Sequence, residues 1–206
     1  MTPAPARLSR MSSEDQRAER RTQADRSATT RAALSEAATD VLLEHGWAAV
    51  SAAEVCKRAG VTRGAFHHHY SSLPELLADS LGRIYAGMVP AEPPSIAALS
   101  DLLDANWSAI GNPRFKAVLE AWLAMANDPR LRAEIGPVVA SFAKLVSPDA
   151  VAPEILRTSE RREFYALARE TMLGLALGRA TNGGEPLGHE ASVLRRLRAE
   201  AAALDG

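Results

Sequence analysis

The chain has 206 residues, 47% of them hydrophobic and 24% charged, which is the balance of an ordinary globular protein with apolar material for one domain or two small ones. A net charge of −1 excludes a polycation, although residues 1–70 hold 10 Lys and Arg against 8 Asp and Glu (+2) while residues 71–206 hold 14 against 17 (−3), a mild bias that would suit an anionic partner at the N-terminal end. The single cysteine, Cys56, excludes an intrachain disulfide framework and a cysteine metal cluster; with no apolar leader and no apolar run near ~20 residues, a cytoplasmic protein with no membrane span is expected.

Residues 1–26 are expected to form a flexible N-terminal arm, because Pro, Ser, Arg, Glu and Asp leave too little apolar surface to order it. Arg17, Arg20, Arg21 and Arg26 would let such an arm reach nucleic acid, and Glu14, Asp15, Glu19 and Asp25 work against it. A helix is predicted from Ser27, since Leu34, Ala37, Ala38, Val41, Leu42 and His45 recur at three- and four-residue steps. Gly46 is its C-cap, and Trp47 returns an aromatic ring to the core. Ser51-Ala-Ala-Glu54 then spells a capping box, with Val50 and Val55 placed as a hydrophobic staple. That helix stops at Gly60; Thr62 caps the next, with Val61 and Phe66 in its staple positions.

Two short capped helices joined across Ala59-Gly60-Val61 read as a helix-turn-helix. Gly60 can adopt the positive φ of a sharp turn, and Cys56 is the small residue needed where the helices cross, a packing role rather than a reactive thiol. The second helix of such a motif enters the major groove N-terminus first, which brings Thr62, Arg63, Gly64 and His68 near base edges. Arg63 can bind guanine bidentately, and Gly64 allows close backbone approach. His67 and Tyr70 can donate to phosphates; His69 and Tyr70 suit packing against the first helix equally well. The triplet His67-His68-His69 does not suggest a metal. Successive helical side chains point about 100° apart, and no histidine has a ligating partner four residues away. With no nucleophile motif such as G-x-S-x-G, no catalytic residue, metal or cofactor is expected, and the chain is not read as an enzyme.

Ser72-Leu73-Pro74-Glu75 opens a fourth helix with another capping box, and Leu76, Leu77, Leu81, Ile84 and Met88 supply its apolar side up to residue 89. The stretch PAEPPS, residues 90–95, reads as a linker. Beyond it, helices are predicted over Ser95–Ile110, Arg114–Ala126, Asp128–Val146, Thr158–Thr181 and Leu187–Leu204, with no alternating strand pattern.

The run from Thr30-Arg31 to Leu77, and above all AGVTRGAFHHHY followed by S-x-x-E-L-L, resembles the TetR family of transcriptional repressors (TetR/AcrR type). The resemblance implies an all-α fold, with a three-helix helix-turn-helix DNA-binding domain at 27–89 and a helical ligand-binding and dimerisation domain at 95–206. It also implies a homodimer, a double-stranded DNA operator and a small-molecule effector. The family's recognition-helix contacts fall on Thr62, Arg63, Gly64, His67 and His68, and Ser51 falls where the preceding helix N-terminus meets phosphate. Two residues depart from the pattern: His67 replaces the usual tyrosine, and Leu73 replaces a phosphate-binding lysine, which should lower the salt slope by about one unit.

FKAVLEAWLAMANDPRLRAEI is also similar to the family. Asn106, Trp107, Trp122, Met125 and Met172 are the candidate ligand-binding residues, since Trp and Met line adaptable pockets well, although the helical stripe Phe115, Val118, Leu119, Trp122 and Met125 reads first as plain core. Ala168, Gly174, Ala176, Gly178 and Ala180, with Leu187, Ala191, Leu194 and Leu197, suggest a four-helix dimer interface or, alternatively, closure of the domain itself. The expected function is a DNA-binding transcriptional regulator, a repressor released from its operator by a small molecule. The alternatives are an activator, or a helical carrier or enzyme with a vestigial DNA-reading motif.

Overall fold

Helices fill the intervals between the glycine and proline breakers. The computed structural model describes residues 13–92, 94–145 and 147–206. In chain order they are α1 (Ser13–His45), a 3₁₀ turn at Trp47–Ala49, α2 (Ala52–Ala59), α3 (Arg63–His69) and α4 (Leu73–Ala86). After these come α5 (Leu99–Ile110), α6 (Phe115–Asn127), α7 (Pro129–Leu145), α8 (Pro148–Val151), α9 (Ser159–Thr181) and α10 (Glu190–Asp205). No strand occurs among the described residues, so the fold is all-α. No helix among them is long and apolar enough to cross a membrane.

α1 begins at Ser13 rather than Ser27, which makes residues 13–26 of the expected arm helical; residues 1–12 of that arm lie outside the described residues. The apolar face from Leu34 to Leu42 already nucleates this helix by burial. Extending a formed helix through Arg, Glu, Gln and Ala, all good helix formers, needs no buried partner. His45, placed on that face by its spacing, is exposed and lies 3.6 Å from Glu44.

Side chains collect in three apolar clusters. Leu34, Ala38, Val55, Phe66, Tyr70 and Leu76 fill the corner between α1, α2, α3 and α4. Leu42, Leu81 and Ile84 meet Val118 and Ala121 of α6 and Leu131 and Ile135 of α7 in a second. Leu99, Leu103, Tyr165, Met172, Leu194 and Ala201 join α5, α9 and α10 in a third. The PAEPPS break therefore separates the two parts in sequence but not in packing, because α4 contributes to the N-terminal corner on one side and to α6 and α7 on the other. Each fully buried leucine on α4 contributes about 1.5–3 kcal/mol, which ties the two parts firmly together.

Past residue 98 the helix ends are moved by long-range caps. α5 starts at Leu99 rather than Ser95 because the Asp101 carboxylate accepts the Ala97 and Ala98 N–H groups at 3.0 Å, while Asp205, from the far end of the chain, accepts the Leu99 N–H at 3.0 and 3.1 Å. Asp128 caps α7 as expected, its Oδ1 accepting from Arg130 and Leu131 at 2.8 and 3.2 Å. α7 ends at Leu145, and Val146, its predicted end, lies outside the described residues. The single-turn α8 was not expected. α10 starts at Glu190, three residues after the predicted Leu187, and Glu190 is itself buried against Arg179, whose Nε and Nη2 donate to it at 2.6 and 2.5 Å. Those bonds hold the Glu190 carboxyl below its ordinary range, against the opposing effect of burial. Arg179 also donates to the Gly111 carbonyl at 3.0 Å and lies 5.2 Å from the Trp107 ring.

Candidate nucleic-acid interface

The turn between α2 and α3 is closed by backbone geometry. Gly60 sits at φ 67°, ψ 28°, a left-handed conformation natural to glycine, and the Val61 N–H donates to the Cys56 carbonyl at 3.0 Å. Cys56 is buried where the helices cross, as its size predicts. Ser51 Oγ accepts the Glu54 N–H at 3.2 Å, and Thr62 Oγ1 accepts the Ala65 N–H at 3.1 Å, so both helices are capped from the expected residues. The boxes are not reciprocal, however. Glu54 turns to Lys57, 4.0 Å away, and Glu75 takes the N–H and hydroxyl of Ser71 rather than the Ser72 N–H, at 2.8 and 2.7 Å. Those bonds lower the Glu75 pKa.

Two faces of α3 divide its residues. Phe66 and Tyr70 are each 1% exposed and look inward. Arg63, Gly64, His67 and His68, with Thr62 at the entry, are all exposed; Ser51 is exposed at the start of α2. His67 meets the Phe66 ring edge-on at 5.1 Å, while the rings of His68 and His69 meet edge-on at 5.0 Å.

Tyr70 is the correction among the predicted contacts. Its hydroxyl donates to Asp79 Oδ2 at 2.5 Å and is buried, so it is not available to a phosphate. Burial first, and Asp79 second, push its pKa up. Arg31 completes the group: its guanidinium lies 4.4 Å from the Tyr70 ring and donates to Asp79 and to the His69 carbonyl, both at 3.3 Å. Thus α3 is fastened at its C-terminal end to α1 and α4. His69 sides with the fold as well: it is half-buried, and burial, His68 and Arg31 lower its pKa. Leu73 is half-buried against two apolar clusters, so its side chain serves packing. Arg31 and Asp79 were not found from sequence, because 48 residues separate them and no local spacing marks the pair.

The predicted ligand set does not assemble. Trp122 and Met125 belong to the cluster with α4 and α7, and Trp122 Nε1 donates to the Tyr85 hydroxyl at 3.3 Å. Trp107 and Met172 belong to the α5–α9–α10 cluster, where Asn106 Nδ2 lies 3.4 Å from Met172 Sδ. Each helix turns its stripe into the nearest core, the plain reading of that pattern. One cleft, of about 400 Å³, is lined by Glu36, Thr39, Asp40, Arg83 and Arg114, and a smaller hollow by Ile110, Phe115, Ala176 and Arg179.

A capped pair of helices about a left-handed glycine, with one exposed polar face on the second, defines a helix-turn-helix protein. Residues 34–79 match the family model described as bacterial regulatory proteins, tetR family. The HTH-type transcriptional regulator CymR of Pseudomonas putida is 33% identical over 120 residues, which is 55% of this chain and 59% of that relative. Among solved structures, a transcriptional regulator from Rhodococcus sp. Rha1 superposes with a TM-score of 0.58 at 23% identity, covering 85% of this chain and 95% of the other. The multidrug binding protein EbrR, complexed with imidazole, gives 0.59 at 19% identity over 85% and 94% of the two chains. Residues 34–79 are thus similar to the DNA-binding part of tetR-family regulators, and the helical fold as a whole is similar to that of solved transcriptional regulators.

Proposed function

We propose that the chain is a cytoplasmic homodimeric transcriptional regulator that binds a double-stranded operator through α3 and is released from it by a small molecule, acting as a repressor. The observation that carries the reading is the exposure of Thr62, Arg63, Gly64, His67 and His68 on a helix that buried Phe66 and Tyr70 anchor. Arg63 supplies base-edge recognition. Ser51 at the α2 N-terminus and His67 supply phosphate contacts, and the helix dipole of α2 adds to the former. Half-sites about 34–36 Å apart, one turn of duplex, would receive the two α3 helices of a dimer.

For the dimer, the small-residue stripe divides. Ala168, Ala176, Leu194 and Leu197 are buried within the protomer, and a Cβ at Gly178 would meet Leu187 at 2.5 Å, so these positions close the domain. Leu167, Gly174 and Leu177 on α9 remain exposed, with Ala191 on α10, and they form the face offered to a second copy. An effector that favours a dimer with the wrong half-site spacing by about 1–3 kcal/mol would weaken operator binding 5- to 150-fold. The test is selection of duplexes from a random pool by the full chain at physiological salt, then sedimentation of the complex. A palindromic consensus bound by two protomers is expected; a chain that enriches no sequence would refute the reading.

A further inference from the structure

At one point a single carboxylate of the C-terminal body reaches the backbone leading into the helix-turn-helix. Glu120, on α6, accepts the Trp47 N–H through Oε2 at 2.6 Å, across 73 residues of sequence. Lys116, one turn earlier on α6, holds the other oxygen at 3.1 Å. Trp47 opens the 3₁₀ turn between α1 and α2, and that turn has no side-chain cap of its own, because the residue before it is Gly46. The Gly46 backbone, φ 79° and ψ 179°, is essentially open to glycine alone. A Cβ there would stand 2.9 Å from a Glu120 oxygen. Glycine is therefore needed twice, for the dihedrals and for the approach of the carboxylate. Glu120 supplies from another element the cap that the local sequence lacks.

The consequence of this contact lies in the residues just beyond the turn. Val50 packs into the corner that holds Phe66 and Tyr70, and Ser51 is the N-cap of α2. Another junction, where Tyr85 stacks on Phe142 with centroids 3.9 Å apart, is part of the core. The Glu120 side chain is 29% exposed, so water can reach the space that its removal leaves.

We propose that Glu120 is a positioning residue for operator binding: through the Trp47 N–H it fixes the entry of α2, so the seat of α6 governs how Ser51 and α3 meet DNA. This rests on the DNA-binding function proposed for α3. The carboxylate is the one reaching across; α6 need only withdraw it to free the turn.

The test uses the full chain and a duplex selected by the wild type. Glu120→Ala removes the acceptor, Glu120→Gln keeps a weaker neutral one, and Lys116→Ala keeps the carboxylate. Three quantities are read: exchange of the Trp47 amide hydrogen, affinity for the selected duplex, and affinity for an unrelated duplex. Glu120→Ala should speed Trp47 exchange and weaken selected-duplex binding, each about tenfold, the size of one charge-assisted bond. Glu120→Gln should fall between it and the wild type. Lys116→Ala should stay within about twofold, and unrelated-duplex affinity should not fall in either Glu120 variant. Loss of a negative charge alone would strengthen DNA binding, so weakening has no electrostatic explanation. Fast Trp47 exchange with unchanged operator affinity overturns the proposal, as does unchanged exchange, since the bond would then not hold the turn. If Glu120→Ala melts too early, Glu120→Gln decides by the same readouts. A wild type that enriches no duplex sinks the DNA-binding reading itself and is told apart by that failure.

Discussion

Tyr70 and Asp79 share one short hydrogen bond, yet removing one or the other should not cost the same. Tyr70 is 1% exposed, whereas the Asp79 side chain is 41% exposed. In Tyr70→Phe the group left behind is a carboxylate that water can reach, so the loss is close to one ordinary hydrogen bond, about 1 kcal/mol. In Asp79→Ala the group left behind is a buried phenol whose remaining acceptor, the Arg31 carbonyl, lies 3.4 Å away. Losing a charge-assisted bond and orphaning a buried donor should cost about 2–3 kcal/mol. The Arg31–Asp79 ion pair adds little, because both partners are largely solvated at 47% and 41% exposure. Urea midpoints tracked by circular dichroism would measure both variants, and the melting temperature should fall by about 2–4 °C per kcal/mol. The double variant should cost less than the sum, because the orphaned hydroxyl is gone. Equal losses from the two single changes, or a larger one from Tyr70→Phe, would refute the assignment of burial to the tyrosine side.

Three further outcomes are expected. Gly64→Ala should stabilise the free protein by up to about 1 kcal/mol, since a Cβ there meets only Thr62 Oγ1 at 3.7 Å, and yet should weaken operator binding by obstructing the backbone's approach to DNA; melting and binding of one sample would read both. Arg63→Ala should cost about 1–3 kcal/mol of operator affinity and relax the preference at one base pair, as a binding series over substituted duplexes would record. Glu190→Gln should destabilise by about 2 kcal/mol at pH 7, because a bidentate arginine contact loses its charge. Glu190 has a folded pKa below its unfolded one, so its contribution is fully present above about pH 4.3 and fades as pH falls through the folded value. Denaturant midpoints of the two proteins should accordingly converge in acid, and a gap of constant size from pH 7 to 3 would contradict that origin.

The legible parts of the chain were those whose physics is short-range. Ser51, Thr62 and Ser72 cap their helices because a side-chain oxygen reaches an N–H three residues on, whatever the rest of the fold does. Gly60 was readable for a similar reason, since only the turn needs it. The carboxylate halves of the capping boxes were not, because Glu54 and Glu75 choose among several nearby donors. The true start of α1 was hidden because low hydrophobicity forbids a core but not a helix that grows out of one. Tyr70 was ambiguous, since a tyrosine at a helix end serves a phosphate or a neighbouring aspartate equally well until Asp79 is seen 2.5 Å away. Glu120 gave no signal at all: its partner is a backbone N–H in a turn 73 residues distant. The aromatic and methionine stripe of α6 reads alike for a pocket and for a core, and here Trp122 and Met125 went to the core.

A seven-residue helix such as α3 has almost no stability of its own. Its orientation comes from outside: the Thr62 cap at one end, Phe66 in the corner, and Tyr70 with Arg31 and Asp79 at the other end. Residues of this helix therefore fall into two kinds whose perturbations have different signatures. Changes at Phe66 or Tyr70 must lower stability and DNA affinity together, because the anchor and the aim are one structure. Changes at Arg63, Gly64 or His68 must lower affinity with stability unchanged or raised. A plot of operator affinity against unfolding free energy for such variants should separate into a sloped series and a vertical one. A single line through both would mean that the exposed face acts on DNA only by way of the fold.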